Sequence, residues 1–370
     1  MIIGVPREVK DHESRVGLVP HGVSALVEAG HEVVVQARAG ELSSLTDKEY
    51  EEAGARIAPN AAEVWQNAQI VIKVKEPQPS EYGYFRPDLT LFTYLHLAPI
   101  ADLTAKLLET GVTAIAYETI QEQDGSLPCL TPMSEVAGRM AVQVGAKYLE
   151  APNGGRGILL GGVPGVAPAN VVIVGGGVVG HNAAKIAHGL GANVTIIDRN
   201  LNRLRELDDI YLGAVITLAS NTWTITESLR HADLVIGAVL IPGASAPKLV
   251  RRDMIASMKR GAVAVDVAID QGGCFETSRA TTHTDPVYYV ENVLHYCVSN
   301  MPAAVPHTST YALTNATFPY LMQLASKGVE AAIRSNPAMA SGVNIYKGAC
   351  VYKAVADSQG IAYTDLALLI

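Results

Sequence analysis

The sequence has few of the features on which metal-bound, secreted or nucleic-acid-binding proteins depend. Its four cysteines lie far apart with no Cys-x-x-Cys pair, and its ten histidines show no His-Glu-x-x-His spacing. We therefore expect no disulfide scaffold, no bound metal, and reduced, mostly buried thiols. Lys and Arg concentrate in no segment, and the formal net charge is -8. This balance argues against a basic surface for nucleic acid or anionic lipid, so small molecules are the expected partners.

No apolar segment suits a secretory signal or a membrane span. The N-terminus reaches Arg7 and Glu8 after a start that is too short for the apolar region of a signal peptide. The uncharged stretch 158–180 has the length to span a bilayer, but it contains Pro164, Pro168 and seven glycines. We expect a cytoplasmic protein without a membrane helix.

Length and patterning predict two α/β domains. The 370 residues exceed what one hydrophobic core usually organises, and 49% of them are hydrophobic. Short apolar runs alternate with amphipathic segments, which is typical of folds built on largely parallel sheets. In the first part of the chain, Pro20 opens one predicted helix, and Thr46 with Glu49 forms a capping box for another. The strands predicted there are 2–5, 33–35, 70–74, 91–95 and 114–117.

The glycine- and proline-rich segment 152–168 separates this series from a second one. The second series has the pattern of a Rossmann-type domain, and the chain after it is mainly helical in pattern and too short for a core of its own. The strands predicted in the second series are 171–174, 194–197, 234–238, 262–267 and 296–298. The predicted division is a discontinuous substrate domain of residues 1–130 and 306–370 around a nucleotide-binding domain of residues 131–305.

A dinucleotide-binding motif follows the first strand of the second series. Strand 171–174 leads into Gly175-Gly-Gly-Val-Val-Gly180, and a helical segment starts near Asn182. Gly175 allows the tight turn, Gly177 lets the backbone approach a pyrophosphate, and Gly180 permits close packing of helix on strand. The helix N-terminus then offers unpaired N–H groups to the phosphates. The alternative is a structural glycine-rich turn, but the preceding strand and the following helix favour a binding site.

The second strand of this domain ends at Asp198, 18 residues after Gly180. A carboxylate there can accept hydrogen bonds from the adenosine ribose and repel a 2′-phosphate. Arg199, the next residue, carries a positive charge and so weakens the preference for a ribose without a 2′-phosphate. The pattern predicts NAD rather than NADP as the cofactor.

Three basic side chains are expected at one edge of the first sheet. Lys75 and His96 each follow a predicted strand, and Arg15 lies in the polar loop after the first strand. In open α/β sheets, ligand crevices form at the carboxyl ends of the strands. Taken singly, His96 also fits a core histidine and Lys75 a solvated loop cation. Together they suit an anionic substrate, because a guanidinium binds carboxylates and an imidazole exchanges protons near neutral pH.

In the second domain, Asp270 lies beyond a strand end and is a site candidate, whereas Asp266 lies within the strand and is expected to be structural. No nucleophile elbow, Walker loop or glycosidase carboxylate pair supports acyl, phosphoryl or glycosyl transfer. An NAD site and a cationic crevice with a histidine suit the oxidation of an anionic substrate.

Several separated segments of the chain form one recognisable set. They are 4–8 (Gly-Val-Pro-Arg-Glu), Arg15, 73–77 (Lys-Val-Lys-Glu-Pro), 94–96 (Tyr-Leu-His), 132–139 (Pro-Met-Ser-Glu-Val-Ala-Gly-Arg), 161–165 (Gly-Gly-Val-Pro-Gly), 266–273 and 300–303 (Asn-Met-Pro-Ala). These segments resemble the alanine dehydrogenase family, which also includes the transhydrogenase α-subunit, and they occur in the family's order over nearly the whole chain.

The resemblance implies reversible conversion of L-alanine, NAD+ and water to pyruvate, ammonium and NADH. It implies that Arg15 and Lys75 bind the substrate carboxylate or carbonyl, and that His96 is the general acid/base. It implies further that Asp270 assists the imine and carbinolamine steps. The substrate pocket would also be lined by Met133 and Asn300. Beyond the glycine motif and Asp198, the expected cofactor contacts are Ser134, Val178, Val179, Arg203, Ser220, Val239, Leu240, Val267, Asp270, Asn300 and Met301.

The resemblance also implies domain closure over the reactants, a homohexamer and a role in amino-acid catabolism. Two other classes remain open at this point. One is an NAD(H)-binding transhydrogenase subunit that exchanges hydride with another subunit. The other is a non-catalytic NAD-sensing protein, which would bind NADH without turnover.

Overall fold

The computed structural model describes residues 1–239 and 246–370, which form two compact units. The first unit comprises Met1–Met133 and Val305–Ile370, and the second comprises Ser134–Ala304. Within the described ranges, every helix is too short or too polar to cross a membrane.

Strands and helices alternate through most of the chain. The strands are β1 (Ile2–Val5), β2 (Glu32–Gln36), β3 (Arg56–Ala58), β4 (Ile70–Ile72), β5 (Thr90–Thr93), β6 (Thr113–Ala116), β7 (Asn170–Val174), β8 (Asn193–Asp198), β9 (Ile216–Ala219), β10 (Leu234–Gly237), β11 (Val263–Asp266), β12 (Val287–Val290), β13 (Val293–Tyr296), β14 (Val343–Tyr346) and β15 (Ala349–Cys350). The α-helices are α1 (Pro20–Glu28), α2 (Asp47–Glu52), α3 (Ala61–Asn67), α4 (Ala101–Thr110), α5 (Thr131–Leu149), α6 (Val178–Gly189), α7 (Leu201–Tyr211), α8 (Thr222–His231), α9 (Arg252–Ala256), α10 (Pro306–Lys327), α11 (Val329–Ser335), α12 (Pro337–Gly342) and α13 (Lys353–Gln359).

Local chemistry sets several of these boundaries. Pro20 occupies the first turn of α1, where its missing N–H costs nothing. Thr46 and Glu49 form the predicted capping box of α2, in which each side chain binds the other residue's backbone N–H. Gly111 ends α4 in the left-handed conformation.

The sheet of the first unit has the strand order β15-β14-β6-β5-β4-β1-β2-β3. Strands β1 to β6 are mutually parallel, and the hairpin of β14 and β15 adds two antiparallel strands at one edge. The chain runs outward in one direction from β1 to β3 and in the other from β4 to β6. The topological switch point therefore lies between β1 and β4, where α/β sheets open a crevice beyond the strand ends.

The sheet of the second unit has the strand order β12-β13-β11-β10-β7-β8-β9, parallel except for β12. Without the antiparallel edge strand this is the Rossmann order, with its switch point between β7 and β10. Its core packs apolar side chains of β7, β8, β10 and β11 against α8 and α9. The two-domain α/β fold with a Rossmann-type second domain is thus confirmed.

Some predicted elements were wrong in extent. The strand predicted at 296–298 is β13, which begins at Val293 and forms a hairpin with the unpredicted strand β12. Helix α6 begins at Val178, directly after Gly177, and not near Asn182. Strand β9 was missed because an edge strand with one neighbour is partly exposed and shows no buried run. The segment after 305 contains α10 to α13 but also the β14–β15 hairpin, whose strand β14 pairs with β6.

Candidate functional site

Glu8, in the loop after β1, holds the chain that follows β4. Its Oε1 accepts the N–H of Val74 at 2.6 Å and that of Lys75 at 3.4 Å, while its Oε2 accepts from Nζ of Lys73 at 3.0 Å. Lys73 also donates to Glu81 at 3.0 Å. Burial alone would lower the pKa of Lys73, but the two carboxylates raise it above its usual value. A buried, charged network therefore positions the backbone of Lys75.

Arg15 is buried, and its guanidinium is held by Glu13. Nε donates to Oε1 and Nη2 to Oε2, each at 2.6 Å, and Nη1 lies 3.0 Å from Sδ of Met133. Burial disfavours the charge, yet Glu13 more than compensates and raises the pKa of Arg15. The structure thus brings together Arg15 and Met133, two of the residues predicted to contact the substrate.

Lys75 is partly buried beside this pair. In the two described ranges, its ammonium has no hydrogen bond within 3.5 Å and no ion pair within 4.0 Å. Burial, and then the positive charge of Arg15, lower the pKa of Lys75 below its usual value. The charged groups that act on it, Arg15, Lys10, Glu13 and Glu76, are two cations and two carboxylates. A negative charge bound beside Lys75 would offset the cost of burying its ammonium.

His96 follows β5 in a conformation that residues with a side chain rarely adopt. Its φ is +46°, which costs on the order of 1 kcal/mol for such a residue. Glu118, after β6, accepts the N–H of His96 at 2.6 Å, and its Oε1 lies 3.8 Å from Nδ1 of the ring. The ring stacks on Tyr94 with 5.6 Å between centroids and 4° between planes. The imidazole is about half exposed, so a proton can reach it.

Tyr94 connects the imidazole with the guanidinium. Its phenol interacts electrostatically with Arg15, donates a hydrogen bond of 2.6 Å to the carbonyl of Cys129, and is buried. The carboxyl-end loops of the first sheet therefore hold Arg15 and His96 beside Tyr94, and Lys75 lies near Arg15 at the same edge of the sheet.

In the second unit, the glycine loop has the shape that a dinucleotide needs. A Cβ on Gly180 would lie 1.8 Å from the carbonyl oxygen of Gly175, so only glycine permits this helix to approach the strand. Gly175 itself has φ +107°. A Cβ on Gly177 would meet nothing within 4 Å, which leaves open space at the start of α6 for a ligand. Val178 and Val179 form the first turn of α6, whose N–H groups suit a pyrophosphate.

Asp198 ends β8 against this loop. Its Oδ2 accepts the N–H of Gly176 at 2.6 Å, and its Oδ1 accepts that of Asn200 at 2.7 Å. A carboxylate accepts about four hydrogen bonds, so capacity for ribose hydroxyls remains. Nε of Arg203 donates to the carbonyl of Gly176 at 2.7 Å, and Ser220 follows β9 with its N–H on the carbonyl of Asp198. These predicted cofactor residues lie together.

Asp270 is exposed on the 3-10 helix Val267–Gln271, which follows β11. Its Oδ2 accepts the N–H of Asn300 at 3.4 Å, so the two predicted residues meet. Asp266 is fully buried and accepts hydrogen bonds from Ala268 and Ser278, among others, as expected of a structural acid. Burial raises the pKa of Asp266.

The remaining predicted cofactor residues are less connected. Ser134 is partly buried on α5, Met301 is buried after Asn300, and Val239 packs partly buried against the core of the second unit. Val267 opens the 3-10 helix of Asp270. Leu240 lies outside the described residues.

Three carboxylates of the first unit, Glu8, Glu13 and Glu118, were not predicted as site residues. Glu118 follows a predicted strand, as Lys75 and His96 do, so the same strand-end argument would have found it. Glu8 stood in a motif that carried the resemblance but had no assigned role. Glu13 lies two residues before Arg15, which is too common a charge pattern to single out.

The glycine loop on a Rossmann sheet and the basic strand-end site define a dinucleotide-dependent α/β dehydrogenase. Residues 4–137 match the family described as alanine dehydrogenase/PNT, N-terminal domain, and residues 141–353 match its C-terminal domain. The chain belongs to the alanine dehydrogenase/PNT family.

Full-length relatives and solved structures agree with this family assignment. The chain is 55% identical to an alanine dehydrogenase of Halomonas elongata over 370 residues, which is 100% of both chains. It is 56% identical to that of Geobacillus stearothermophilus over 370 residues, 99% of this chain and 98% of the relative. A solved L-alanine dehydrogenase superposes with a TM-score of 0.95 at 50% identity, covering 97% and 99% of the chains. A transhydrogenase from Sinorhizobium meliloti shares the fold, with a TM-score of 0.81 at 24% identity over 96% and 100%.

Proposed function

We propose that this protein catalyses the reversible NAD-dependent oxidative deamination of L-alanine to pyruvate and ammonium. One molecule of water is consumed, and NADH and a proton are released. The observation that carries the proposal is the Lys75 ammonium, partly buried beside Arg15 without a carboxylate partner in the described residues. A small carboxylate substrate supplies the missing negative charge.

Substrate binding uses the first unit. We assign the substrate carboxylate to Arg15 and Lys75, and the small side chain of alanine to the neighbourhood of Met133. Glu13 keeps the Arg15 guanidinium charged and fixed in plane, so little entropy is lost when a carboxylate binds. Asn300 is a further proposed substrate-binding residue.

His96 is proposed to move the protons. As neutral imidazole it accepts a proton from the water that adds to the imine carbon, and as imidazolium it returns a proton to the departing amine. Asp270 is proposed to assist the same carbinolamine steps. Its exposed carboxylate also suits the nicotinamide ribose as a hydrogen-bond acceptor.

The second unit fits NAD. The close approach at Gly180 and the open space at Gly177 suit a pyrophosphate. The anchored carboxylate of Asp198 suits an adenosine ribose without a 2′-phosphate. A 2′-phosphate there would meet a negative charge. When bound, NAD+ supplies the acceptor for the hydride that leaves the substrate α-carbon. The further contacts proposed for NAD are Ser134, Val178, Val179, Arg203, Ser220, Val239, Leu240, Val267 and Met301.

We also propose a cytoplasmic homohexamer that acts in amino-acid catabolism. Leu159, Val163 and Val166 each expose more than half of their surface on one short segment of the second unit. Such a patch is typical of a surface that a partner copy covers.

Absorbance of NADH tests the reaction. Purified protein is mixed with NAD+ and L-alanine, and in the reverse direction with NADH, pyruvate and ammonium. NADP(H), L-lysine and glyoxylate serve as comparisons. Alanine-dependent NADH formation and ammonium-dependent NADH consumption support the proposal. Tight NADH binding without turnover would favour the transhydrogenase-subunit or sensor alternative instead.

A further inference from the structure

The backbone of His96 is held by a carboxylate from the neighbouring strand. Strands β5 and β6 are parallel, with Thr93 opposite Ala116, so the turns after both strands lie at the same edge. Glu118 stands on the turn after β6, and both of its oxygens lie 3.3 Å from the N–H of Leu95. Its Oε1 accepts the N–H of His96 at 2.6 Å.

His96, the second of these two N–H donors, is the residue with unfavourable backbone geometry. His96 has φ +46°, and a histidine leaves this region unless its surroundings determine it. An acceptor for two successive N–H groups fixes the peptide planes that lead into His96, and so limits the backbone conformations open to this residue. The backbone conformation in turn decides where the imidazole stands relative to Tyr94 and Arg15.

The turn that carries Glu118 is itself fixed. Nδ2 of Asn344, a fully buried residue of β14, donates to Oγ1 of Thr119 at 2.8 Å. The side chain of Glu118 is only 14% exposed. The carboxylate is therefore a rigid acceptor, in contrast to a mobile surface charge.

We propose that Glu118 is a positioning residue for catalysis, whose carboxylate oxygens hold His96 in its left-handed backbone conformation and so place the imidazole for proton transfer. The inference rests on the proposed function, in which His96 carries the proton. Glu118 acts through His96 and has no contact with the substrate in this role. This positioning role requires only a hydrogen-bond acceptor, which an amide oxygen also supplies.

The test compares Glu118→Leu, which removes the acceptor, with Glu118→Gln, which keeps one. We expect kcat of Glu118→Leu to fall between about 10- and 100-fold, as for a displaced catalytic group. KM for pyruvate should stay within about threefold, and Glu118→Gln should keep kcat within about threefold of the parent. NADH affinity, measured by fluorescence, reports on the second unit and should be unchanged in both variants.

A double-mutant cycle distinguishes a positioning effect of Glu118 on His96 from a general loss of structure. In a His96→Ala background, Glu118→Leu should lower the residual kcat by no more than about twofold, because its effect passes through the missing imidazole. The same loss in both backgrounds would overturn the inference, and so would equal losses for Leu and Gln. If Glu118→Leu keeps the wild-type kcat while His96→Ala is impaired, this inference is overturned and the proposed role of His96 is not affected. Full turnover of His96→Ala would refute the proposed role of His96 and this inference with it.

Discussion

Glu13 binds the guanidinium of Arg15 through two hydrogen bonds of 2.6 Å, from Nε to Oε1 and from Nη2 to Oε2. Both side chains are buried, so the pair is held in one geometry. The guanidinium is thereby charge-compensated within the protein. The neighbouring ammonium of Lys75 has no such counter-ion within the described residues, so the charges of the two cations are balanced differently.

Carboxylate binding should depend on pH through Lys75. Burial and Arg15 lower its pKa, so the ammonium loses its proton at a lower pH than an ordinary lysine does. The neutral amine cannot offset a carboxylate, so affinity falls as pH rises through that pKa. We expect the inhibition constant of oxamate, an unreactive pyruvate analogue, to rise by up to about tenfold per pH unit on this limb.

The matched variant is Lys75→Arg, whose guanidinium stays charged over the same range. Its inhibition constant for oxamate should be nearly independent of alkaline pH. If the inhibition constant of oxamate rises with alkaline pH equally in the parent and in Lys75→Arg, Lys75 does not bind the carboxylate.

Loss of the imidazole should impair chemistry and spare cofactor binding. We choose His96→Asn because asparagine tolerates the left-handed backbone that this position requires. Steady-state rates should show kcat reduced by roughly 10²- to 10⁴-fold in both directions. His188→Asn, at an exposed position of α6, is the control and should keep full activity. Normal turnover of His96→Asn would require another proton carrier.

The glycines at the two ends of α6, Gly177 just before it and Gly189 as its last residue, have equal room for a methyl group but should differ in function. A Cβ on Gly177 or on Gly189 meets nothing within 4 Å, so both alanine variants should fold. Gly177→Ala should weaken NADH binding by at least about tenfold, because the methyl occupies the space expected for the pyrophosphate. Gly189→Ala should bind NADH normally and gain roughly 0.5–1 kcal/mol in free energy of unfolding. Fluorescence titration and thermal melts measure both, and equal NADH affinities would contradict the proposed site.

Cofactor choice should depend on Asp198. Asp198→Ala removes the negative charge beside Gly176 and the expected acceptor for the ribose. We expect the ratio of kcat/KM for NAD+ to that for NADP+ to fall by at least about tenfold, which corresponds to about 1.4 kcal/mol. Asp209→Ala, an exposed carboxylate on α7, should leave the ratio unchanged. An unaltered ratio in Asp198→Ala would place the ribose elsewhere.

The buried network under Lys75 should matter for stability. Lys73→Met leaves the carboxylates of Glu8 and Glu81 buried without their cation, and should cost about 3–5 kcal/mol in free energy of unfolding. Denaturant unfolding should show partial recovery when Glu8→Gln and Glu81→Gln are added. Lys185→Met, at an exposed position of α6, is the control. A stability of Lys73→Met equal to that of the control would mean that the network contributes little.

The sequence by itself determined the two α/β domains, the glycine loop and the strand ends at which Lys75, His96, Asp198 and Asp270 stand. These features are local, because strand and helix periodicity, a tight glycine turn and the residue after a strand are all read within one segment. The weak edge strands β9 and β12 escaped notice for the same reason, since a single neighbouring strand leaves only a faint pattern in the residues.

Only the tertiary structure decided which carboxylates serve which cations. Glu8 reaches the segment of Lys75 because β1 lies beside β4, although 66 residues separate it from Val74. Glu118 reaches His96 because β5 lies beside β6. The unusual backbone at His96 could likewise not be read from its segment, since a positive φ is uncommon for any residue with a side chain. Strand order is set by the packing of the whole sheet, and so the partners of a charged side chain cannot be read from its own segment.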